Sequence, residues 1–143
     1  MIESGKEVSI ILPAYNEGHR LSEVVREAID TLEEMADEWE IIIVDDGSTD
    51  LTPQVAKSLA ESDERIRYVR LDKNVGKGFA LKKGFELSKG KLVAFLDADM
   101  DLNPRQLKYY AEIMEREGVD AVIGSKRHPF SKVNYPLKRK VLS

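Results

Sequence analysis

Short apolar runs alternate with segments of helical periodicity along the chain, and this alternation constrains the fold more than any other feature. The runs are short and bounded by turn residues, which is typical of buried strands. Five strands are predicted, at residues 8–12 (ended by Pro13), 39–44, 66–71, 92–96 and 119–123. The intervening segments predict an α/β fold, a Rossmann-like, mostly parallel sheet with right-handed crossovers and helices on both faces.

Composition narrows the class of protein and the kind of site. The chain has 143 residues and is 42% hydrophobic, which is enough for one domain with a core. It contains no cysteine, so disulfides and thiolate metal sites are excluded, and its two histidines leave carboxylates as the main candidate metal ligands. No apolar run approaches the roughly 20 residues of a membrane-spanning helix, and no signal peptide is visible, so a cytoplasmic setting is expected.

Charge is distributed unevenly around a net value of −4. The last acidic residue is Asp120, and six Lys or Arg residues follow it. The alternating pattern weakens after Arg127, so we expect a domain over 1–127 and a basic tail over 128–143, with the domain cut short on its C-terminal side. Such a tail favours contact with phosphates or an anionic membrane surface, although a solvated charge run is the alternative.

The apolar run at 92–96 leads directly into Asp97, Asp99 and Asp101. A continuous apolar run predicts a strand buried on both faces. Three carboxylates this close together repel one another unless a cation lies between them, and all-oxygen ligands favour Mg²⁺ or Mn²⁺. The alternative is a polar turn before a helix, with Asp101 as a helix cap.

Every predicted strand ends in a loop of this polar kind. The side chains that follow strands one to five are Asn16 and Glu17, Asp45 and Asp46, Asp72 to Asn74, Asp97 to Asp101, and Lys126 with Arg127. Because the carboxyl ends of parallel strands share one edge of a sheet, we expect these residues to form one site. Acids suit a metal, a ribose or a base, and cations suit phosphates. Together they predict a nucleotide with a metal-bridged diphosphate.

The glycine pattern excludes two common nucleotide-binding motifs. The loop at Gly76-Lys77-Gly78 lacks the spacing of a Walker A motif, and no GxGxxG follows the first strand. The nucleotide is therefore expected to be held by carboxylates and a metal ion. A nucleotidyltransferase is disfavoured because no glycine- and lysine-rich loop follows the first strand.

These motifs, in this order and spacing, resemble the nucleotide-binding part of inverting GT-A glycosyltransferases of family 2. Within that family the chain is most similar to dolichol-phosphate mannose synthases and polyprenyl-phosphate glycosyltransferases. The resemblance extends from residue 8 to about residue 142, and its motifs lie at 8–17, 43–50, 74–78, 97–99 and 124–127, with a further basic stretch at 136–140.

For the donor, the resemblance implies a nucleobase and ribose pocket lined by Pro13, Tyr15, Glu17, Asp45 and Asp46. It places Lys77 near the phosphates or sugar of the donor. Plainer interpretations stay open for several of these positions: Pro13 merely ends a strand, Tyr15 packs on its own loop, and Asp46 and the nearby Asp50 only cap the next helix.

For the reaction, the resemblance implies that Asp97, Asp99 and Asp101 hold Mg²⁺ or Mn²⁺ against the diphosphate. Asp99 and Asp101 would act in catalysis together with Arg127, which binds a phosphate. Arg139 or its neighbours would bind the phosphate of the acceptor.

The implied activity is metal-dependent, inverting transfer of a sugar from a nucleotide-diphosphate donor to a polyprenyl (dolichyl) phosphate at the cytoplasmic face of a membrane. The donor would be of the GDP-mannose or UDP-glucose type, and no nucleic acid is involved. A lipid phosphate is already anionic and needs positioning only, whereas a sugar hydroxyl needs a general base. No acid follows Asp120 to supply one. A transferase acting on a sugar hydroxyl and a nucleotide-sugar-binding fragment without turnover are the alternatives.

Overall fold

The computed structural model of the chain describes residues 6–99 and 101–124. These residues form a four-stranded, wholly parallel sheet with four helices. In chain order the elements are β1 (Glu7–Ala14), α1 (Gly18–Met35), β2 (Glu38–Asp45), α2 (Thr52–Ser62), β3 (Ile66–Arg70), α3 (Lys77–Leu87), β4 (Leu92–Phe95) and α4 (Gln106–Glu117).

The strand order in this sheet is β3-β2-β1-β4. The chain moves from β1 outward to β3 and then returns through α3 to pair β4 with the other side of β1. Because parallel crossovers are right-handed, helices that move in opposite directions lie on opposite faces. Apolar side chains of α1, α2 and α4 accordingly join one core cluster, and those of α3 join the other. The predicted α/β fold with helices on both faces is confirmed.

The central position of β1 and β2 in the sheet explains why their sequences are continuously apolar. Ile10 and Leu12 of β1 face the α1 side, whereas Ile11 faces the α3 side, and all three are fully buried. Strand β2 repeats the pattern, so alternate residues of one strand belong to different cores. Helix α1 meets the larger core with one apolar stripe, made of Leu21, Val24, Val25, Ala28 and Leu32.

Strand β1 is longer than the sequence predicts, because it continues through Pro13 to Ala14. The Ala14 carbonyl accepts a hydrogen bond from Asp46 N on the β2 side, and the Ile11 carbonyl accepts one from Leu96 N on the β4 side. Backbone groups of successive strand residues point to alternate sides, so Pro13 faces the β4 side. Since β4 ends at Phe95, the missing N–H of Pro13 interrupts no ladder of the described sheet.

The prediction that the run at 92–96 is buried on both faces is wrong for part of that strand. Phe95 is 50% exposed, and Phe85 of α3 beside it is 56% exposed. Their rings contact each other with centroids 6.5 Å apart. The reason is topological: within the described residues β4 pairs only with β1 and is therefore an edge strand.

The predicted fifth strand at 119–123 is also wrong. Helix α4 ends at Gly118 in the left-handed region, and residues 119–124 form no ladder with the strands described here. Ile123 is 88% exposed. An apolar run becomes a strand only where a neighbouring strand can take its backbone hydrogen bonds, and periodicity does not reveal that neighbour.

Helix α3 approaches the sheet unusually closely at Gly84. A Cβ atom added there would lie 2.3 Å from Ile11 Cγ2 and 3.2 Å from Val44 Cγ2. Because β1 and β2 are central strands, neither side chain can move away without disturbing the core. The absence of a side chain at residue 84 therefore sets the distance between α3 and the sheet.

We expect Gly84→Ala to lower the free energy of unfolding by about 1–3 kcal/mol, because the added methyl group overpacks the core. Urea denaturation monitored by circular dichroism measures the change. Gly78→Ala is the matched control on the same helix, since a Cβ there meets nothing within 4 Å. That control should be neutral or slightly stabilising; equal effects of the two substitutions would contradict the packing argument.

A polar cluster closes the edge of the sheet opposite the strand carboxyl ends. Glu40 Oε1 accepts hydrogen bonds from the Ser9 hydroxyl at 2.8 Å and from Lys89 N at 2.7 Å, and Glu40 Oε2 accepts one from Arg67 Nη1 at 3.3 Å. Burial raises the pKa of Glu40, but the hydrogen bonds from Lys89, Ser9 and Arg67 outweigh it. The pKa is therefore below the ordinary value of 4.5.

A depressed carboxyl pKa contributes stability that is present above pH 4.5 and is lost as the pH falls through the lower value in the folded state. We expect Glu40→Gln to be less stable than the wild type at neutral pH, and the difference to shrink at acidic pH below 4.5. Urea denaturation across this pH range measures it. Glu61→Gln, on the exposed surface of α2, should show no such convergence. A difference that stays constant with pH would contradict the assignment.

Candidate functional site

Four loops meet at the edge formed by the carboxyl ends of the strands. We call them the first loop (15–17), the second loop (46–51), the third loop (71–76) and the fourth loop (96–105), after β1 to β4 in order. Side chains of one loop bind the backbone of the next, so the edge is a connected structure. The reversal of chain direction on either side of β1 also places the topological switch point of the sheet between the first and fourth loops, which is where open α/β sheets bind ligands.

Asn16 joins the first loop to the second. Its φ angle of 53° lies in the left-handed region, which asparagine tolerates better than most residues. Asn16 Oδ1 accepts hydrogen bonds from Thr49 N at 2.9 Å and Asp50 N at 3.3 Å, and Asn16 N donates to Ser48 Oγ at 3.0 Å. Asn16 therefore holds the first loop in position; the sequence pattern placed it at the site but gave it no role.

Asp50 serves the ends of two helices, as the helix-cap interpretation expects. Its Oδ1 accepts a hydrogen bond from Thr52 N at 2.8 Å, and its Oδ2 accepts one from Gly18 N at 3.3 Å. Burial raises the pKa of Asp50, but the hydrogen bonds from Thr52 and Gly18 outweigh it and hold the pKa below its ordinary value. The first turns of α1 and α2 are thus tied to one carboxylate.

Asp45 lies under the site, and its side chain is fully buried. Its Oδ1 accepts a hydrogen bond from Ser48 N at 2.9 Å, while its Oδ2 accepts one from the Tyr68 hydroxyl at 2.7 Å and one from Arg70 Nη1 at 2.8 Å. Burial and the bond to Asp45 both raise the pKa of Tyr68. The implied role of Asp45 in recognising the base or ribose stays a prediction.

Sequence reasoning missed Arg70 and Tyr68. Arg70 is the register partner of Asp45 at the ends of β3 and β2, so the two charges meet directly. The available sequence signal for this pair was an acid, Asp45, and a base, Arg70, near the ends of two successive predicted strands. The register that pairs them is a tertiary property.

Asp46 joins the second loop to the third. The residue is 4% exposed; its Oδ1 accepts a hydrogen bond from Val75 N at 2.8 Å, and its Oδ2 accepts one from Gly76 N at 3.0 Å. The adjacent Gly47 has a φ of 73°, and a Cβ there would lie 2.6 Å from Asn74 N. The two loops are therefore packed backbone against backbone, which only glycine permits at residue 47.

Lys77 and Asp97 connect the start of α3, directly after the third loop, to the fourth loop. Lys77 is the first residue of α3, and its ammonium group forms an ion pair with the Asp97 carboxylate. The side chains are 59% and 42% exposed. The structure thus brings together two residues predicted for the donor site, and both remain accessible to a ligand.

The fourth loop is held by contacts of Asp99. Its Oδ1 accepts a hydrogen bond from Asp101 N at 3.0 Å, which closes a turn, and its carbonyl oxygen accepts one from Arg20 Nη1 at 2.9 Å. Arg20 belongs to the first turn of α1 and was not predicted. Its position just after the first loop was the only sequence signal for a role at this edge.

The other residues predicted for the site fall into two groups, those at the end of β1 and those outside the described residues. Pro13 is buried in β1, Tyr15 is 47% exposed beside it, and Glu17 immediately precedes α1. Arg127 and Arg139 lie outside the described residues. In residues 6–99 and 101–124 no three acidic, cysteine or histidine side chains are grouped closely enough to hold a metal ion, so Asp97, Asp99 and Asp101 do not form such a group by themselves.

The sequence profile described as "Glycosyl transferase family 2" matches residues 9–141. The chain belongs to glycosyl transferase family 2. The predicted resemblance to this family is confirmed.

Two curated relatives of this family 2 chain extend well beyond it. Glycosyltransferase AglD of Haloferax volcanii is 38% identical over 142 residues, which are 98% of this chain and 23% of the relative. An undecaprenyl-phosphate 4-deoxy-4-formamido-L-arabinose transferase of Salmonella choleraesuis is 34% identical over 118 residues, which are 82% of this chain and 36% of the relative. The chain therefore spans about a quarter to a third of the length of these relatives.

A solved structure shares the fold. The mannosyltransferase PcManGT from Pyrobaculum calidifontis, in complex with GDP-Man and Mn²⁺, superposes with a TM-score of 0.60 at 29% identity, covering 73% of this chain and 32% of its own. The predicted GT-A architecture is thus confirmed. No helix within the described ranges has both the length and the apolar character needed to cross a bilayer.

Proposed function

We propose that this family 2 domain binds a nucleotide-diphosphate sugar with Mg²⁺ or Mn²⁺ and transfers the sugar, with inversion, to a polyprenyl phosphate. The observation that carries the proposal is the meeting of Lys77 and Asp97 at the carboxyl edge of the sheet, a cation and an acid that are both accessible. PcManGT binds GDP-Man and Mn²⁺, and the Salmonella relative is named for an undecaprenyl-phosphate substrate. Both support the same chemistry for this chain.

The first loop is the proposed site of the nucleobase and ribose. Tyr15 is 47% exposed and therefore accessible to a ligand, and Glu17 immediately precedes α1. The hydrogen bonds of Asn16 to the second loop hold this segment in place before a ligand arrives. Asp45 is proposed to assist in recognising the base or ribose only through the second loop, since its buried carboxylate accepts hydrogen bonds from Ser48 N, the Tyr68 hydroxyl and Arg70 Nη1.

The residues present fit a divalent metal by their chemistry, since carboxylate oxygens are the ligands that Mg²⁺ and Mn²⁺ prefer. Asp97 and Asp99 would hold the ion, Asp101 would be the third ligand, and oxygens of the diphosphate would complete the set. The fourth loop supplies all three side chains, and Arg20 fixes it through the Asp99 carbonyl. When bound, the metal would neutralise charge on the departing nucleotide diphosphate.

The chain's own cations would assist the same step. Lys77 would place its ammonium group beside the diphosphate, and Arg127 would bind a phosphate. An oxygen of the acceptor phosphate then attacks the anomeric carbon from the face opposite the leaving group. The new carbon–oxygen bond forms as the bond to the diphosphate breaks, so the configuration inverts. Asp99 and Asp101 are proposed to orient the donor for this displacement.

The acceptor determines where the reaction takes place. A polyprenyl phosphate is anchored by its tail, so the transfer would occur at a membrane surface, which we propose is the cytoplasmic face. Arg139 is proposed to bind the acceptor phosphate, and the surrounding basic residues of 128–143 suit an anionic surface. An anionic acceptor needs positioning and no general base.

We expect the wild-type chain to bind GDP-mannose or UDP-glucose in the presence of Mn²⁺ and to lose most of this affinity without it. Asp99→Ala should weaken binding at least about tenfold, which corresponds to about 1.4 kcal/mol, because a metal ligand is removed. A thermal-shift panel of nucleotide sugars identifies the donor, and calorimetry then measures its affinity.

Asp30→Asn, on the exposed face of α1, carries a comparable loss of charge away from the loops and should retain wild-type affinity. Binding of the nucleotide sugar that is equally strong with Mn²⁺ and with a chelator, or unchanged in Asp99→Ala, would overturn the metal assignment.

A second candidate function is binding of the nucleotide sugar without turnover, which needs only donor-side groups such as the accessible Lys77 and Asp97. Incubation with the labelled nucleotide sugar, Mn²⁺ and a short polyprenyl phosphate separates the two. We expect a glycosyl phosphate lipid of inverted anomeric configuration, and no product from the unphosphorylated polyprenol. Metal-dependent binding without transfer would establish the second candidate instead.

A further inference from the structure

We propose that Asp46 is a positioning residue that acts on the donor through Lys77 and does not itself contact the nucleotide. Its carboxylate holds the third loop so that Lys77 faces Asp97. This inference rests on the proposed function of the same site, and it replaces the role in the base and ribose pocket that the family resemblance implies for Asp46.

The first argument is the set of contacts. Both Asp46 oxygens accept hydrogen bonds from successive backbone amides, Val75 N at 2.8 Å and Gly76 N at 3.0 Å. Hydrogen bonds to an ionised acceptor are about twice as strong as neutral ones. The two amides immediately precede α3, where backbone N–H groups have no partner inside the helix. One carboxylate thus fixes the residues from which α3 starts.

The second argument is burial. Asp46 is 4% exposed, and a nucleotide would have to break these bonds to reach its oxygens. A backbone amide that loses its hydrogen-bond partner inside the protein is unfavourable, so direct contact with the ligand would be opposed by the loss of each bond. Asp97 differs in this respect, since its side chain is 42% exposed and its partner is a side chain.

The third argument is the short path from Asp46 to Lys77. Gly76 is the N-cap of α3, and Lys77 follows it directly. Gly76 has a φ of 106°, a conformation that glycine reaches easily but does not keep unless something holds it. Without the Asp46 carboxylate, Val75 and Gly76 would gain freedom and the direction of the Lys77 side chain would no longer be fixed.

The close packing at Gly47 makes the arrangement stiff. Its Cα hydrogen faces the third loop, and a Cβ there would lie 2.6 Å from Asn74 N and 2.7 Å from Lys73 C. The second loop therefore cannot shift toward the third to replace a lost hydrogen bond. Its position is set in turn by Asp45, which accepts a hydrogen bond from Ser48 N.

The test is a double-mutant cycle on binding of the Mn²⁺ complex of GDP-mannose or UDP-glucose, whichever the wild type binds. Calorimetry compares the wild type, D46N, K77A and D46N/K77A. We expect D46N to weaken binding at least about fivefold when Lys77 is present and by less than about twofold in the K77A background. Equal weakening in both backgrounds would overturn the proposal, because Asp46 would then act independently of Lys77.

Glu40→Gln is the matched control, since Glu40 also accepts a backbone hydrogen bond, from Lys89 N, but lies at the opposite edge of the sheet. It should leave the affinity unchanged even if it lowers stability. Asp46→Glu, which keeps the charge and displaces it by one methylene, is made in parallel and should behave as D46N does. Asp46→Glu replaces D46N in the double-mutant cycle if D46N does not fold.

Amide hydrogen exchange measured by NMR without any ligand tests the structural half separately. We expect the Val75 and Gly76 amides to exchange faster in D46N, while the Val24 and Val25 amides of α1 stay protected. Unchanged exchange at 75 and 76 would overturn the proposal whatever the binding data show. If the wild type binds no nucleotide sugar, the proposed function fails, and the exchange result alone then decides whether Asp46 holds the loop.

Discussion

The structure depends on the parallel pairing of β1 with a strand on each side. Parallel strands need crossovers, and crossovers of one hand place the helices on both faces, so β1 and β2 become buried and must be apolar throughout. The same pairing brings the carboxyl ends of all four described strands to one edge. Because the chain leaves β1 in one direction and returns on its other side, the topological switch point of the sheet lies beside the first loop, where open α/β sheets bind their ligands.

Burial divides the acids at this edge into two groups. Asp45 and Asp46 have little or no contact with solvent, and each satisfies its charge with fixed donors of the protein. A buried charge without such partners would be too costly to keep. Asp97 is 42% exposed and is paired with the exposed side chain of Lys77, so its carboxylate remains accessible. The first group builds the site, and the second is available to a ligand.

Much of the fold was accessible from the sequence because periodicity and turn residues are local. The four described strands lie close to their predicted positions, each is followed by a helix, and the motif order indicated the correct family. The failures have a common cause. The apolar runs at 119–123 and 92–96 both predict a buried strand. Burial of an apolar run, however, depends on which elements pack beside it. The prediction that Pro13 ends the first strand failed for the same reason, because the effect of its missing N–H depends on the neighbouring strand.

The sequence by itself determined the alternation of strands and helices, the loops that carry chemistry, and membership of glycosyl transferase family 2. Only the tertiary structure decided which charged group meets which. Arg20 reaches the Asp99 carbonyl across 79 residues of chain, Asp45 meets Arg70 through strand register, and Asp46 meets the backbone of the third loop. The physical reason is that periodicity is a property of neighbouring residues, whereas an ion pair or a buried hydrogen bond requires two distant segments to meet at a defined distance.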